Sequence, residues 1–103
     1  MGRFMLTTYL GQTGKKRNLE RLFGSKIRVK ILSVLLKNKD RAFYQREVMY
    51  LTGGSLNAIQ RELSNLTEIG LLLRSDGTSR VYYKINEESP LFEPVSSIFQ
   101  SFK

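Results

Sequence analysis

Residues 55–70 restrict the fold of this chain more than any other segment. Their apolar side chains recur at intervals of three, four, three and three positions: Leu56, Ile59, Leu63, Leu66 and Ile69. Because an α-helix has about 3.6 residues per turn, this spacing puts all of them on one face. Ser55 is a favourable N-cap, and Gly70 is typical of the position that follows a helix. The segment therefore predicts an amphipathic helix over residues 56–69 that buries one face in a core.

Two further helical segments precede it. Ser25 is again a favourable N-cap, and residues 26–37 carry apolar side chains at spacings of three and four: Ile27, Ile31, Leu32, Val34 and Leu35. Residues 45–51 predict a short helix, which the sequence Thr-Gly-Gly-Ser at 52–55 ends. Two helices joined by such a tight turn predict a helix-turn-helix.

After Gly70 the hydrophobic period changes to two. Residues 71–73 and 80–85 predict two strands, and the Asp76-Gly77 pair between them is a strong hairpin signal. The second strand should direct one set of side chains to the core: Val81, Tyr83 and Ile85. It should direct the other set outward: Arg80, Tyr82 and Lys84. With a terminal helix over residues 91–102, the predicted fold is mainly α with a small β-hairpin.

The charge of the chain is high and unevenly distributed. Seventeen Lys and Arg against nine Asp and Glu give a net charge of +8. Residues 1–61 hold 13 basic and 3 acidic side chains, whereas residues 62–103 hold 4 and 6. Such a field favours polyanions, with nucleic acid ahead of an anionic membrane surface, and a solvated surface is the remaining interpretation. No apolar run approaches the roughly 20 residues that span a bilayer, so we expect a cytoplasmic protein without a membrane partner.

The chain contains neither Cys nor His. Their absence excludes disulfides, thiol nucleophiles, imidazole bases and nearly every transition-metal site. The sequence also has no phosphate-binding glycine loop, nucleophile elbow or paired-acid motif. We therefore expect no enzymatic activity, no cofactor and no metal.

Three segments carry a family resemblance: GSKIRVKILSVLL, REVMYLTGGSLNAIQRELSNLTEIGLLL and SDGTSRVYYKIN. Together they resemble winged helix-turn-helix transcriptional regulators of the ArsR and MarR-like group, in particular small archaeal and bacterial members. The resemblance covers residues 19–102. It implies a sequence-specific regulator of double-stranded DNA, with the recognition helix 55–69 in the major groove and the wing 71–85 on the adjacent minor groove or backbone.

The residue types fit this interpretation. Amide side chains pair with adenine and Arg pairs with guanine in the major groove, so we expect base contacts from Asn57, Gln60 and Arg61. Contacts to the DNA backbone are expected from Ser55, Ser64, Arg74, Thr78, Arg80 and Lys84. Simpler interpretations remain for Arg61, for Tyr82 as a stacking surface for bases, and for the cations of residues 26–30 as phosphate contacts. Arg61 could form a surface ion pair, Tyr82 could pack on a neighbouring side chain, and the cations of residues 26–30 could be merely solvated.

The last predicted helix carries a dense apolar stripe: Leu91, Phe92, Val95, Ile98, Phe99 and Phe102. We expect it to form a homodimer interface, and packing against the first helix of the same chain is the alternative. A dimer would place two recognition helices about 34 Å apart, on a pseudo-palindromic site. The chain then divides into a basic flexible arm (1–18), a winged helix-turn-helix DNA-binding domain (19–90) and a C-terminal dimerisation helix (91–103).

Two features depart from the family pattern. The turn residue before Ser55 is usually apolar there and is Gly54 in this chain, so we expect a looser start of the recognition helix. Metal-sensing members bind their effector through Cys or His, which are absent, and the sequence identifies no effector. The alternative function is a winged-helix module for protein contacts, either an adaptor or an antitoxin-like subunit.

Overall fold

The helices and strands follow the predicted order in a computed structural model, which describes residues 15–102. Within these residues the helices are α1 (Lys15–Phe23), α2 (Lys26–Lys37), α3 (Gln45–Thr52), α4 (Leu56–Glu68) and α5 (Phe92–Ser101). The strands are β1 (Phe43–Tyr44), β2 (Leu72–Asp76) and β3 (Val81–Ile85). The chain is therefore mainly α with a small β-hairpin, as expected.

The three strands form one antiparallel sheet in the order β1-β3-β2. Its register pairs Phe43 with Tyr83 and Leu72 with Ile85. The β2–β3 hairpin is longer than the sequence predicted, because β2 continues past residue 73 to Asp76, opposite Val81. A four-residue loop closes it, where the Gly77 N–H donates to the Arg80 carbonyl at 2.7 Å. The hairpin thus extends beyond the core as a polar, exposed projection.

Apolar side chains from α2 to α5 and the sheet form one core. Its buried members are Ile31, Leu32, Leu35, Phe43, Val48, Ile59, Leu63, Leu66, Leu71, Leu72, Tyr83, Ile85 and Phe92. The predicted stripe of α4 is confirmed at its centre only. Leu56 is 51% exposed and Ile69 is 56% exposed, because they lie at the two ends of the helix, beyond the core.

The turn between α3 and α4 is built by two glycines for different reasons. Gly53 ends α3 with φ +75°, where its N–H donates to the Met49 carbonyl at 2.8 Å. A side chain at that φ would be strained. Gly54 instead lacks space: a Cβ there would lie 2.5 Å from Ile27 Cδ1 and 2.8 Å from Ile59 Cδ1.

The expectation that Gly54 loosens this turn is therefore wrong. The methyl groups of Ile27 and Ile59 occupy the volume that an apolar residue at position 54 would fill, so the core contact is supplied by α2 and α4 themselves. The Gly54 N–H also donates to Thr52 Oγ1 at 3.3 Å, and that hydroxyl donates to the Val48 carbonyl at 2.7 Å. Tight packing and two hydrogen bonds hold the start of α4.

The first and last helices differ from the sequence-based expectation. Helix α1 begins at Lys15, so the expected boundary between arm and domain at residue 18 falls inside a helix. Residues 19–23 form the second half of that helix, which buries Leu19 beside α2. The rest of the expected arm, residues 1–14, lies outside the described residues. In α5, Phe92 joins the chain's own core and Phe99 contacts Phe23, with ring centroids 5.4 Å apart.

The centre and the N-terminal end of the α4 stripe give a stability test. Leu63 is fully buried, so we expect Leu63→Ala to lower the free energy of unfolding by about 2–5 kcal/mol through lost burial and a cavity. Leu56→Ala is the matched control, and its half-exposed side chain should change stability by about 0.5 kcal/mol or less. Urea denaturation followed by circular dichroism measures both. Equal losses in the two variants would contradict the described burial of α4.

Candidate nucleic-acid interface

One face of α4 is polar and open to solvent. Its exposed side chains are Asn57, Gln60, Arg61, Ser64 and Asn65. They lie opposite the buried stripe of Ile59, Leu63 and Leu66. The structure therefore brings the three predicted base-contacting residues together on one helix face. The only charge on residues 55–61 is that of Arg61, and Glu68 follows it two turns later at the C-terminal end.

Ser55 begins this helix, as predicted. Its hydroxyl oxygen accepts a hydrogen bond from the Ala58 N–H at 3.2 Å, and its backbone is extended, with φ −75° and ψ 159°. The side chain is exposed. A hydroxyl that accepts from the backbone can still donate its own proton, so the cap and a phosphate contact are compatible at Ser55.

The Arg61 guanidinium has no acidic partner among the described side chains, and the adjacent acid, Glu62, pairs with Arg28. No ion pair among the described side chains involves Arg61, so the surface ion pair considered for it is not present there. Glu62 is only 7% exposed, and both of its oxygens accept from Arg28 of α2, at 2.7 Å from Nε and 3.3 Å from Nη2. The hydrogen bond to Glu62 raises the pKa of Arg28. Arg28 is thus tied to α4 and is not a free cation.

In the loop that closes the wing, aromatic side chains hold Arg80. Its guanidinium lies 4.1 Å from the centroid of the Tyr44 ring, a cation–π contact. Tyr44 in turn packs edge-on against Tyr82, with centroids 6.2 Å apart. Tyr82 therefore packs on a neighbouring side chain. Arg80 keeps its charge and gains a fixed direction.

The other predicted wing residues vary in their availability. Arg74 donates to Asp76 at 3.1 Å, and both side chains are exposed, so solvent screens this pair and it is easily exchanged. Thr78 is exposed in the loop, and Lys84 is half-buried opposite Leu73. The wing thus presents cations along β2 and β3.

Sequence reasoning missed Arg46 and Tyr44. Arg46 is exposed in the first turn of α3, and no described acid pairs with it, whereas Arg41 is engaged with Glu47 and with the ring of Phe43. In DNA-bound helix-turn-helix proteins, the helix before the recognition helix crosses the DNA backbone, where cations meet phosphates. The sequence feature that could have identified Arg46 is its place in the first turn of the helix that ends at the Gly-Gly turn.

Within residues 15–102 no group of three or more His, Cys, Asp or Glu side chains is arranged to hold a metal ion. No helix in this part of the chain is long and apolar enough to cross a membrane.

The helix-turn-helix formed by α3 and α4, with the adjoining β2–β3 hairpin, is a winged helix-turn-helix fold. Its solved structural neighbours include MepR, a transcription regulator of the Staphylococcus aureus multidrug efflux pump MepA. That match has a TM-score of 0.69 and 13% identity, over 94% of this chain and 71% of MepR.

Two other neighbours are similar in fold. One is the homodimeric winged helix-turn-helix DNA-binding domain (fragment 1–100) of Mb0332 from Mycobacterium bovis, a possible ArsR-family transcriptional regulator. Its TM-score is 0.60 at 21% identity, over 98% of this chain and 91% of that one. The other is a possible transcriptional regulator from Methanosarcina mazei Go1, with a TM-score of 0.60 and 20% identity over 76% and 69% of the two chains. Neither a protein-family model nor a curated protein sequence matches the chain.

The cap at Ser55 can be tested by itself. We expect Ser55→Ala to lower the free energy of unfolding by about 1 kcal/mol, because the Ala58 N–H loses its side-chain acceptor. Ser64→Ala, an exposed serine in the middle of the same helix, is the control and should be neutral or slightly stabilising. Thermal melts of the two variants measure the difference. If both variants melt together, Ser55 is not the cap.

Proposed function

We propose that this chain is a dimeric transcriptional regulator that binds double-stranded DNA in a sequence-specific manner and has no enzymatic activity. The observation that carries the proposal is the exposed face of α4, on which Asn57, Gln60 and Arg61 lie together on a helix anchored by its opposite face. A helix about 10–12 Å wide fits the major groove, where each base pair presents a distinct pattern of donors and acceptors. The winged helix-turn-helix fold and its regulator neighbours support the same assignment.

The base contacts are assigned to the amides and to Arg61. Asn57 and Gln60 would pair with adenine N6 and N7, and Arg61 with guanine O6 and N7. Their shared face makes simultaneous contacts to neighbouring base pairs feasible.

Contacts to the DNA backbone would come from α4 and from the wing. Ser55 donates at the N-terminus of α4, where backbone N–H groups also favour an anion, and Ser64 lies further along the face. Arg80, Lys84 and Thr78 reach the adjacent minor groove or its phosphates. Arg74 joins them when it exchanges its ion pair with Asp76 for a phosphate.

We add Arg46 of α3 to this group. Arg28 is excluded, since Glu62 holds it.

The dimer is assigned to α5. Only Phe92 of its predicted stripe is buried within the chain, while Ile98 and Phe102 stay half-exposed and Leu91 is exposed. A groove of about 630 Å³ lies beside it, lined in part by Leu51, Phe99 and Phe102. A second copy of α5 would cover this apolar surface. We therefore keep Leu91, Ile98 and Phe102 as interface residues, with Val95 and Phe99 shared between the core and the interface.

Binding to DNA is tested by fluorescence anisotropy with duplexes selected by the protein from a random library. We expect the logarithm of the affinity to fall with the logarithm of the salt concentration, by a slope of about −0.9 for each neutralised phosphate. The triple variant Asn57→Ala/Gln60→Ala/Arg61→Ala should reduce affinity for the selected duplex about 100-fold or more. Each hydrogen-bonded contact between a side chain and a base that is lost costs about 1–3 kcal/mol.

Arg21→Ala is the charge control, since it removes one exposed cation from α1, and it should keep the preference for the selected sequence. A protein that binds no duplex at low salt would contradict the proposal. A protein partner whose affinity survives the triple substitution would then favour an adaptor or antitoxin-like module.

The dimer is tested by sedimentation. The 11.9 kDa chain should sediment as a species of about 24 kDa at micromolar concentration, and Ile98→Asp should convert it to the monomer by placing a charge in the apolar stripe. Ser97→Asp adds the same charge at an exposed neighbouring position and should leave the dimer intact. The monomeric variant should lose most of its affinity for a duplex with two half-sites and little for a single half-site. A wild-type monomer would rule out this interface.

A further inference from the structure

The ion pair between Arg28 and Glu62 joins α2 to α4 across 34 positions of sequence. Both carboxylate oxygens accept from the guanidinium, so the contact is a two-point fork and not a single hydrogen bond. Glu62 is one of three buried polar or charged residues in the described part of the chain, with Thr52 and Ser89. The other two are hydroxyl side chains, so Glu62 is the one buried charged side chain among the described residues.

The Arg28 end of the pair is fixed to its own helix. The Arg28 N–H donates to Ser25 Oγ at 3.1 Å, which places Arg28 in the capped first turn of α2. The preceding residue, Ile27, is the one whose terminal methyl group lies against Gly54 in the turn before α4. Two consecutive residues of α2 therefore contact α4 or its preceding turn, one through apolar packing and one through charge.

Helix geometry relates the pair to the proposed DNA-contacting face. Successive residues of a helix are rotated by about 100°, so Arg61 lies about 100° around α4 from Glu62. Ile59, Leu63 and Leu66 lie on the other side of Glu62, in the core. Glu62 thus stands at the border between the buried stripe and the exposed polar face.

Apolar packing alone tolerates small rotations of a helix, because burial is not directional. A fork between a guanidinium and a carboxylate adds directional restraint. At a side-chain radius of about 5–6 Å, a rotation of 20° moves the exposed groups by about 2 Å. That displacement exceeds the range of distances within which a hydrogen bond to a base forms.

We propose that the Arg28–Glu62 ion pair is a positioning device that fixes the rotation of α4 about its axis, and through it the discrimination between DNA sequences. The inference rests on the proposed function. It assigns Arg28 and Glu62 as positioning residues that need not touch DNA. Overall affinity for DNA comes from the free cations and is independent of the pair.

The test replaces the pair by apolar side chains of similar size, in Arg28→Met/Glu62→Leu. The change leaves the net charge unaltered. The Arg28 side chain is 33% exposed, so the pair is only partly buried, and replacing such a pair by apolar side chains should cost little stability. We expect a nearly unchanged melting temperature, unchanged affinity for a scrambled duplex, and an unchanged salt slope. The preference for the selected duplex over the scrambled one should fall about tenfold.

Lys39→Met/Glu87→Leu is the matched control, because it removes another ion pair of the described chain, with atoms 3.9 Å apart, that does not involve α4. It should keep the full sequence preference. If the double variant at Arg28 and Glu62 folds poorly, Arg28→Lys serves instead, since it keeps the charge but loses the fork. Its preference should also fall, at an unchanged salt slope.

Each other outcome overturns the inference in a recognisable way. A double variant that discriminates like the wild type shows that the pair serves stability alone. A parallel loss of affinity for both duplexes, with a shallower salt slope, shows that Arg28 is a phosphate contact. If the wild-type protein binds no duplex, both the proposed function and this inference are wrong.

Discussion

Three helices converge on Gly54, and the rest of the molecule depends on that convergence. Ile27 of α2 and Ile59 of α4 leave no room for a Cβ at this position, where it would lie within 3 Å of both methyl groups. The close approach is possible because Gly53 reverses the chain at positive φ and Ser55 immediately caps the next helix. The packing of Ile27 and Ile59 against Gly54 therefore holds the first turn of α4 close to α2.

Once anchored in this way, α4 is left with two surfaces of different chemistry. The buried side holds Ile59, Leu63 and Leu66 at 3% exposure or less, while the outer side carries mostly uncharged polar groups. The strong positive charge of the chain comes mainly from residues 1–61 and lies largely outside this helix. In the proposed function, attraction to DNA and selection of a sequence are therefore divided between different residues. A weakly charged recognition face limits the affinity for arbitrary DNA, because every sequence offers the same phosphates.

Local patterns in the sequence predicted the elements that depend on local forces. Helical spacing predicted α2 and α4, serine caps predicted their starts, and Asp76-Gly77 predicted the hairpin. Three of the failures involve packing and pairing that the local pattern does not show. Gly54 was expected to loosen the turn. That expectation was wrong because the two methyl groups that fill the space beside Gly54 come from α2 and α4, and the sequence of the turn does not show them. The partner of Glu62 is 34 residues away, and no periodicity marks it. Phe92 belongs to the same apolar stripe as Ile98, yet only the folded core distinguishes the buried side chain from the half-exposed one.

Two arginines illustrate why position in the fold, more than residue type, decides what a cation does. Arg28 is held by a carboxylate that cancels its charge, so it fixes geometry and contributes little to the external field. Arg80 is held by the face of Tyr44, whose quadrupole attracts a cation without neutralising it. Arg80 is therefore both oriented and charged, which in the proposed function lowers the entropy lost when it meets a phosphate. In the two proposals, the same guanidinium group acts as an internal clamp on α2 and as a preoriented phosphate contact on the wing. The difference arises entirely from whether its partner is an acid or an aromatic ring.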